Sequence, residues 1–591
     1  MDSKTNFQAD EHQRRSANYK PNIWKDGFLE SLNNKYIGDD YSRQFENLVK
    51  DVKNMMFVKT EDLIAQLELI DSIGKLGLTN HFEKEIKEAL DTVENSNPCI
   101  TENLYATALN FKILRQHGYK VSQARGLLGA HWLRSCKNSE VKRVGGWSNP
   151  RMGDHPGKLF HVFGGFMDEK GALKESNFWD VKGMLELLEA TNLAFEGERI
   201  LDAAKASSTV ALRGSKVWNL DDNLARQVVH ALELPSHRRV GWFNVKWHIH
   251  AYEKDNHANA ILLLELAKLN FNMVQAALQN DLREVSMWWN NLGLKEHLKF
   301  ARDRPVECFM FAVGLNFHPG YTSFRILLSK VINLILIIDD VYDIYGSLEE
   351  LKIFTNAVDR WDVGVTEQLP ECMKTCFQVL YNTTCEFAHE IEEEIGWNLA
   401  LPHLSKAWAD FCKALLVEAE WYSRSYTPSL EEYLSNGCIS SSVSVLMVHT
   451  FFSTTHRDGI KEIADFLHKN EDLVHNISLI VRLTNDLGTS TAEQERGDAP
   501  SAIICYMREM NASEATAEAK IKGMIDNAWK KINGTCLRTP QQLPFLSPFI
   551  NNIATNIARM AHSLYQAGDG FGDQEQGSRL IQSVLVEPLP L

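Results

Sequence analysis

The sequence predicts an all-α protein built from two helical domains. Apolar residues recur three and four residues apart over long stretches, for example 63–70 and 261–271, which is the spacing of an amphipathic helix. Turn-forming stretches such as Asn95-Ser96-Asn97-Pro98 break these patterns, and long alternating strand patterns are not evident. The chain has 591 residues, more than one hydrophobic core usually serves, so we expect two large domains.

The composition argues against several classes of protein. A formal net charge of −15 argues against general attraction to nucleic acid or to an anionic membrane surface. The ten cysteines form no CxxC pair, which fits a reduced compartment. The N-terminal MDSKTNFQADEHQRR lacks the apolar core of a signal peptide, and the longest apolar run, Val331–Ile338, is far shorter than the ~20 residues that cross a bilayer. We therefore predict a cytoplasmic monomer without nucleic-acid or membrane partners.

Residues 124–162 depart from the helical pattern. They carry seven Lys/Arg, two Asp/Glu and six glycines, which gives this segment a net charge of +5. A basic loop that binds nucleic acid or phosphate is one interpretation, but the basic residues follow no known module spacing. A surface insertion is the favoured interpretation.

An aspartate cluster follows the most apolar helix of the sequence. In VINLILIIDDVYDIYG, helical spacing would place Asp339, Asp340 and Asp343 along one side. Three carboxylates repel one another unless a cation offsets their charge, and carboxylate oxygen with substrate phosphate is the ligand set that Mg²⁺ prefers. An exposed acidic helix end is the alternative, but it explains three acids after an apolar run less well.

A second set of oxygen ligands follows in LIVRLTNDLGTSTAEQERGD. Asn485, Thr489 and Glu493 step by four residues and form one stripe on a helix, with Arg482 one turn earlier. Such a stripe could face solvent when it stands alone. Together with the aspartate cluster it predicts three further metal ligands and an arginine that binds phosphate.

Two arginines precede the aspartate cluster in FARDRPVECF. Arg302 and Arg304 could fork around one anionic group, and Pro305 suits the first position of a helix. A surface ion-pair cluster with Asp303 and Glu307 is the alternative that remains open from these residues alone.

Together these motifs resemble those of plant class I terpene synthases. DDVYD matches the DDxxD motif, NDLGTSTAE the second metal motif and RDR the upstream arginine element, while Arg14-Arg15 and Trp24 match a tandem arginine pair followed after eight residues by tryptophan. The resemblance covers nearly the whole chain except 124–162. It implies an arm over 1–23, an N-terminal α-barrel-like domain over 24–265 and a C-terminal catalytic α-helical bundle over 266–591.

The resemblance also implies roles for the motif residues. Mg²⁺, as three ions and with Mn²⁺ as an alternative, would be held by Asp339, Asp343, Asn485, Thr489 and Glu493. The substrate would be a prenyl diphosphate, bound by Arg302, Arg304 and Arg482 with Asp339, Asp343 and Asn485. Asp340 would assist from behind the metal ligands.

Ionisation of that substrate would produce diphosphate and an allylic cation that must not meet water. Phe309, Phe311 and Tyr565 are candidates for the wall around the cation, since aromatic rings stabilise cations. Stretches such as RRSANYKPNIW and FTNAVDRWD resemble acyclic sesquiterpene synthases, which implies farnesyl diphosphate as substrate and proton loss to the bound diphosphate or to Tyr565.

Other functions remain open at this stage. The chain could make another sesquiterpene or a monoterpene from geranyl diphosphate, and residues 124–162 could make it inactive. A chain-elongating prenyltransferase is disfavoured because the second motif has Asn, Thr and Glu in place of aspartates. A helical scaffold explains the helices but neither metal motif.

Overall fold

The computed structural model describes residues 19–24, 26–32, 34–57, 62–96, 103–121, 124–125, 160–168, 172–214, 221–254, 260–395, 400–454, 471–496, 501–542, 549–566, 568, 570–571 and 574–591. These residues form two compact units. The first unit lies within 1–52, 75–78 and 238–591, and the second within 53–74 and 79–237. Helices dominate both units, which confirms the predicted all-α fold.

Among the described residues, eight α-helices lie before residue 238. In chain order these are α1 (Asp26–Ser31), α2 (Asp39–Phe57), α3 (Leu63–Lys75), α4 (Glu83–Ser96), α5 (Leu104–Gln116), α6 (Val181–Thr191), α7 (Arg199–Arg213) and α8 (Asp222–Glu233).

The α-helices after residue 237 belong to the first unit. They are α9 (Gly241–Tyr252), α10 (Ala260–Asn291), α11 (Leu294–His297), α12 (Pro305–Leu315), α13 (Thr322–Asp340), α14 (Leu348–Arg360), α15 (Glu371–Ile395), α16 (Ala400–Ser423), α17 (Leu430–Ser440), α18 (Val443–Thr454), α19 (Glu471–Arg496), α20 (Ala502–Met510), α21 (Glu514–Gln542), α22 (Thr555–Tyr565) and α23 (Gln574–Ile581). Wider π-helical turns cover Val341–Tyr345, Phe549–Ala554 and Gln582–Val586. Short 3₁₀ turns cover Thr79–His81, Gly164–Phe166, Glu175–Trp179, Ser236–Arg238, Pro319–Tyr321 and Val363–Gln368.

The observed division of the chain differs from the predicted one. The predicted boundary after residue 265 falls inside α10, which runs without a break from Ala260 to Asn291. The described part of the predicted arm belongs to the same unit as the C-terminal helices.

A buried arginine, Arg115, connects several segments of the second unit by hydrogen bonds. Arg115 donates to both carboxylate oxygens of Glu198, at 2.6 and 2.5 Å, and to the carbonyl oxygens of Val121 and Leu193. The Arg115 guanidinium also lies 4.3 Å from the ring centre of Phe111. Because every hydrogen bond of this buried charge goes to a loop or helix end, Arg115 joins the segments that surround the unit's core.

The predicted insertion begins and ends at one place in the second unit. Strands β1 (Ala124–Arg125) and β2 (Phe160–His161) pair antiparallel, with Ala124 opposite His161 and Arg125 opposite Phe160. Residues 125 and 160 are therefore neighbours in this unit, while residues 126–159 lie outside the described part.

The C-terminal residues of the chain are bound by a row of buried amides on α10. Asn272 donates to the carbonyl oxygen of Leu589 at 2.8 Å and accepts from its N–H at 2.7 Å. Gln275 donates to Val584 O at 2.9 Å, and Gln279 donates to Leu585 O at 2.6 Å. The side-chain amides of α10 therefore satisfy backbone hydrogen-bonding groups of residues 584–589.

Three described stretches have the length and apolar composition of a membrane-spanning helix: Ile261–Asn291, Pro319–Tyr345 and Leu430–Thr454. Between 61% and 67% of their most apolar windows is buried inside the protein. Protein therefore covers most of this apolar surface, as expected for core helices.

Candidate active site

The first acidic motif lies at the end of an apolar helix. Helix α13 is buried over most of its length, and it ends at Asp340. A π-helical turn follows over Val341–Tyr345, closed by a 2.8 Å hydrogen bond from Gly346 N–H to Val341 O. Asp339 and Asp340 thus end the α-helix, whereas Asp343 lies in the wider turn, a difference from the single continuous α-helix that the sequence predicts.

Arg302 contacts both aspartates at the end of this helix. Its Nη2 donates to Asp339 Oδ2 at 2.6 Å, and its Nε donates to Asp340 Oδ2 at 3.2 Å. The Arg302 backbone N–H also donates to Asp340 Oδ2, at 2.7 Å. Asp340 is fully buried and Asp339 is not, so Asp340 orients the arginine while Asp339 remains accessible.

A fourth carboxylate, that of Glu418 on α16, lies near this cluster of three aspartates. Burial among protein atoms raises the pKa of Asp343 well above its usual range, and the charges of Asp339 and Glu418 raise it further. Asp343 is nevertheless accessible to solvent. Carboxylates that repel one another in this way indicate a site for a cation.

Glu418 also connects this cluster to the second motif. Burial raises the pKa of Glu418, while the Arg482 charge and a hydrogen bond from Ser440 lower it, and Asp339 and Asp486 raise it. Its Oε1 accepts from Ser440 Oγ at 2.5 Å and from Asn436 Nδ2 at 3.1 Å. The fold therefore brings both predicted motifs into electrostatic contact with one residue.

The second motif lies on α19, as predicted. Thr489 is buried, and its hydroxyl donates to Asn485 O at 3.0 Å. The backbone of Glu493 belongs to α19, but its side chain lies outside the described part. Between Asn485 and Glu493, Gly488 allows close packing of α22, because a Cβ atom there would lie 2.7 Å from Tyr565 O. Tyr565 is thereby placed beside the second motif.

Arg482 carries an unused donor toward the same region. Its Nη1 lies 3.7 Å from Asp486 Oδ1 and donates to the Tyr433 hydroxyl at 3.4 Å. Its buried Nε has no hydrogen-bond partner among the described residues. A buried guanidinium nitrogen without a partner is suited to an anionic ligand.

Arg304, the other predicted diphosphate ligand, has different partners. It is 1% exposed, and its three nitrogens donate to backbone carbonyl oxygens: Nε to Phe571 at 2.8 Å, Nη1 to Asp303 at 2.9 Å and Nη2 to Lys20 at 2.8 Å. Helix α12 starts with Pro305, as predicted, so Arg304 lies at the loop end beside it.

Two of the predicted aromatic wall residues are packed in the core. Phe309 has no accessible surface and Phe311 is 8% exposed. Phe309 therefore faces no solvent-accessible cavity in this structure, because tight packing around α12 encloses it. Arg14 and Arg15 lie outside the described residues, whereas Trp24 donates from Nε1 to Glu307 at 2.9 Å.

The residues present fit divalent cations. Their donors are carboxylate, amide and hydroxyl oxygens, the set that Mg²⁺ prefers, and the charges of Asp339 and Glu418 raise the pKa of Asp343. Within the described residues, no three His, Cys, Asp or Glu side chains are already gathered at metal-binding distances.

Sequence reasoning missed Glu418, Asp486 and Tyr19. Asp486 accepts from the Tyr433 hydroxyl at 2.9 Å and from Ala502 N–H at 2.8 Å, and its position directly after Asn485 was the available signal. The Tyr19 ring lies 5.2 Å from the Arg302 guanidinium. No local pattern marks Glu418, because its neighbours in space come from other helices.

Two family models match the chain in order. The model described as "Terpene synthase, N-terminal domain" matches residues 23–125 and 160–232. The model described as "Terpene synthase family, metal binding domain" matches residues 290–531, which contain both motifs and Glu418. The first match is interrupted over 126–159, the same residues that the β1–β2 pair encloses.

Curated relatives align with almost the whole chain. An (E,E)-alpha-farnesene synthase of Malus domestica is 65% identical over 98% of this chain and 94% of its own length. An alpha-farnesene synthase of Ricinus communis is 51% identical over 98% and 96%, and a chloroplastic myrcene synthase of Quercus ilex is 44% identical over 98% and 90%.

Solved structures share the fold. A limonene synthase with 2-fluorolinalyl diphosphate has a TM-score of 0.87 and 36% identity, and covers 98% of this chain and 100% of that one. An isoprene synthase from grey poplar leaves, in complex with three Mg²⁺ ions and dimethylallyl-S-thiolodiphosphate, has a TM-score of 0.82 and 38% identity, and covers 96% and 99%. With both domain models matched and relatives similar over nearly the full length, the chain belongs to the terpene synthase family.

Proposed function

We propose that the protein ionises a prenyl diphosphate at the site between its two metal motifs, in a reaction that depends on Mg²⁺. The observation that carries the proposal is that groups suited to cations and groups suited to anions meet around Glu418. The carboxylates of Asp339 and Asp343 can bind cations. Arg482 has a buried Nε without a hydrogen-bond partner among the described residues, and this donor can bind an anion. A diphosphate with its metal ions satisfies both.

The residues of the chain would act on the leaving group. Bound Mg²⁺ supplies positive charge where negative charge develops on the departing diphosphate. Arg482 would donate from Nε to a diphosphate oxygen, and Arg302, held by Asp340, would turn its Nη2 from Asp339 to the substrate. The C–O bond breaks, its electron pair leaves with the diphosphate, and an allylic cation remains.

For the product we infer (E,E)-α-farnesene from farnesyl diphosphate. The two relatives named as α-farnesene synthases, at 65% and 51% identity, support this choice. The farnesyl cation would lose a proton from the methylene next to the charge, and the electron pair of that C–H bond would form the new double bond. The bound diphosphate or Tyr565 would accept the proton.

The test is gas chromatography with mass detection on the purified full chain, given farnesyl or geranyl diphosphate with Mg²⁺. We expect α-farnesene as the main hydrocarbon, and none from an Asp343→Asn control or with a chelator. A cyclic sesquiterpene would overturn the product, and a chain inactive with both substrates would overturn the substrate class.

The second candidate is a monoterpene synthase. It is favoured by the 44% identical relative, which is named as a myrcene synthase. An acyclic C10 hydrocarbon such as ocimene, formed with a higher kcat/KM from geranyl diphosphate than the C15 product from farnesyl diphosphate, would establish it.

We further propose a cytoplasmic monomer that accepts Mn²⁺ in place of Mg²⁺ and needs no nucleic acid or membrane. The net charge of −15 supports the absence of nucleic-acid and anionic-membrane partners. Light scattering on the eluted protein tests the oligomeric state, and metal titration of the chelated enzyme tests the use of Mn²⁺.

A further inference from the structure

The two arginines of the RDR element make contacts of opposite kinds. Arg302 donates to the carboxylates of Asp339 and Asp340 at the site. Arg304 instead donates from each of its three nitrogens to a backbone carbonyl oxygen. A diphosphate would have to displace these bonds before it could bind Arg304.

The carbonyl groups bound by Arg304 come from distant parts of the chain. Lys20 belongs to the arm near the N-terminus, whereas Phe571 follows α22 near the C-terminus. Phe571 is 5% exposed, and Gly570 before it packs so tightly that a Cβ atom there would lie 2.5 Å from Leu564 O. One guanidinium therefore holds two backbone segments together.

The arm lies along the same short stretch as Arg304. Asn22 Nδ2 donates to Asp303 Oδ2 at 3.3 Å, and Trp24 Nε1 donates to Glu307 at 2.9 Å. At the start of this segment, the Tyr19 ring lies over the Arg302 guanidinium. Tyr19 therefore covers the Arg302 guanidinium, while Asn22 and Trp24 bind the short stretch that contains Arg304.

We propose that Arg304 is a positioning residue that fastens the described end of the arm, residues 19–23, with the adjoining Trp24, to the segment at Phe571 beside the Arg302–Asp340 pair. Through this contact it keeps the cover over Arg302 in place. On the proposed function, the cover excludes water while the allylic cation exists, because water would otherwise capture the cation as an alcohol.

Hydrogen–deuterium exchange on the substrate-free full chain tests the fastening without any reaction. In Arg304→Lys, protection of amides in 19–24 and at 570–571 should fall by about tenfold, the ratio that loss of a charge-assisted hydrogen bond produces. The control Arg325→Lys changes an equally buried arginine that pairs with Asp281, and it should leave both segments unchanged. Unchanged exchange in Arg304→Lys would overturn the proposal.

The reaction gives the second readout. With farnesyl diphosphate, Arg304→Lys should release a larger share of farnesol-type alcohols, while inhibition by inorganic diphosphate with Mg²⁺ stays within about twofold of wild type. Inhibition weakened by about tenfold or more, with unchanged exchange, would instead make Arg304 a diphosphate ligand. Trp24→Phe, which removes the hydrogen bond to Glu307 and keeps an aromatic ring beside Phe28, should raise the alcohol share in the same direction even if Arg304 variants fold poorly.

These readouts separate the two proposals. A wild-type chain that makes no terpene would refute the proposed function but leave the exchange result valid for the fastening role. A wild-type chain that makes α-farnesene, with Arg304 variants unchanged in exchange and alcohol share, would refute the fastening role alone.

Discussion

Charged residues of both metal motifs act on the Glu418 carboxylate: Asp339 from the first motif, and Arg482 and Asp486 from the second. Burial raises its pKa, and Asp339 and Asp486 raise it further, whereas Arg482 and the Ser440 hydroxyl oppose them. An ionised carboxylate held in such surroundings destabilises the protein without a cation. The same carboxylate supports the site when cations are bound.

We expect Glu418→Gln to stabilise the metal-free protein by about 1 kcal/mol, because the amide carries no charge. Its oxygen can still accept from Asn436 and Ser440. The same change should lower kcat/KM with Mg²⁺ by about 10- to 100-fold. Urea denaturation in chelator and steady-state kinetics measure the two effects, and exposed Glu431→Gln is the control. Lower stability in chelator would contradict this account.

His449 makes the stability of the first unit sensitive to acid. It lies in the core between Phe387 and Trp408, and its Nδ1–H donates to Val445 O at 2.8 Å. Burial lowers the pKa of His449 from 6.5 to about 4. Between these values the unfolded chain binds a proton that the folded protein does not, so stability falls as the pH falls from about 6.5 to about 4.

The variant His449→Phe removes this titration. Between pH 7 and pH 5, the free energy of unfolding of the wild type should fall by about 2 kcal/mol more than that of the variant, from the shift in pKa. Urea denaturation at the two pH values measures the difference. Parallel pH dependence in both proteins would show that His449 is not the responsible group.

Sequence motifs could predict one part of the site but not the other. Asp339, Asn485 and Arg302 follow local spacing that binding chemistry requires, and the structure places them on the elements expected. Glu418 lies on another helix and meets the motifs only through folding. The backbone partners of Arg304 are equally non-local, because an arginine pair in sequence does not reveal which arginine is buried.

At the scale of elements, close packing of α19 on α22 positions the second motif. Gly488 permits this approach, since a Cβ atom there would lie 2.7 Å from the backbone oxygen of Tyr565. Neither helix can yield by a side-chain rotation alone, because the obstructing atom belongs to the backbone.

We expect Gly488→Ala to lower kcat by at least about tenfold, because the helices must separate and small displacements of a site are costly. The control is Gly523→Ala on α21, where no atom lies within 4 Å of the added Cβ. That change should be neutral or stabilise by about 0.5–1 kcal/mol through helix propensity. Equal activity in both variants would show that the packing at Gly488 is dispensable.

The amide row of α10 gives a second prediction at this scale. Asn272→Ala removes both hydrogen bonds to Leu589 and should cost about 2–3 kcal/mol, since buried backbone groups lose their partners. Exposed Asn280→Ala on the same helix should change stability by less than about 0.5 kcal/mol. Thermal unfolding of the two variants compares them, and equal midpoints would refute the role of the row.

Helices were predictable because their apolar periodicity is local. Pro305 correctly marked the start of α12, yet the π-helical turn after Asp340 was not predicted, since VYDIY is compatible with a continuing α-helix. The break between units was placed at 265 by resemblance, whereas the helical pattern of α10 continues through that point.

At the scale of the whole molecule, the pairing of β1 with β2 places Arg125 opposite Phe160, so a short turn could connect these two residues in place of 126–159. We expect that replacing 126–159 with Asn-Gly, a dipeptide suited to a tight hairpin, preserves folding and activity. Circular dichroism melting and product analysis test this. Loss of folding in the replacement variant would show that the segment contributes to the core.

The discontinuous first unit also determines the order in which the chain can fold during synthesis. The second unit lies within 53–74 and 79–237, so nearly all of its partners have been translated before α9 emerges. The arm must instead wait for Arg304 and Phe571, and the amides of Asn272, Gln275 and Gln279 must wait for residues 584–589. Until these later residues emerge, the first unit has unpaired polar groups at positions that the complete fold buries, and this is the interval in which chaperones would protect it most.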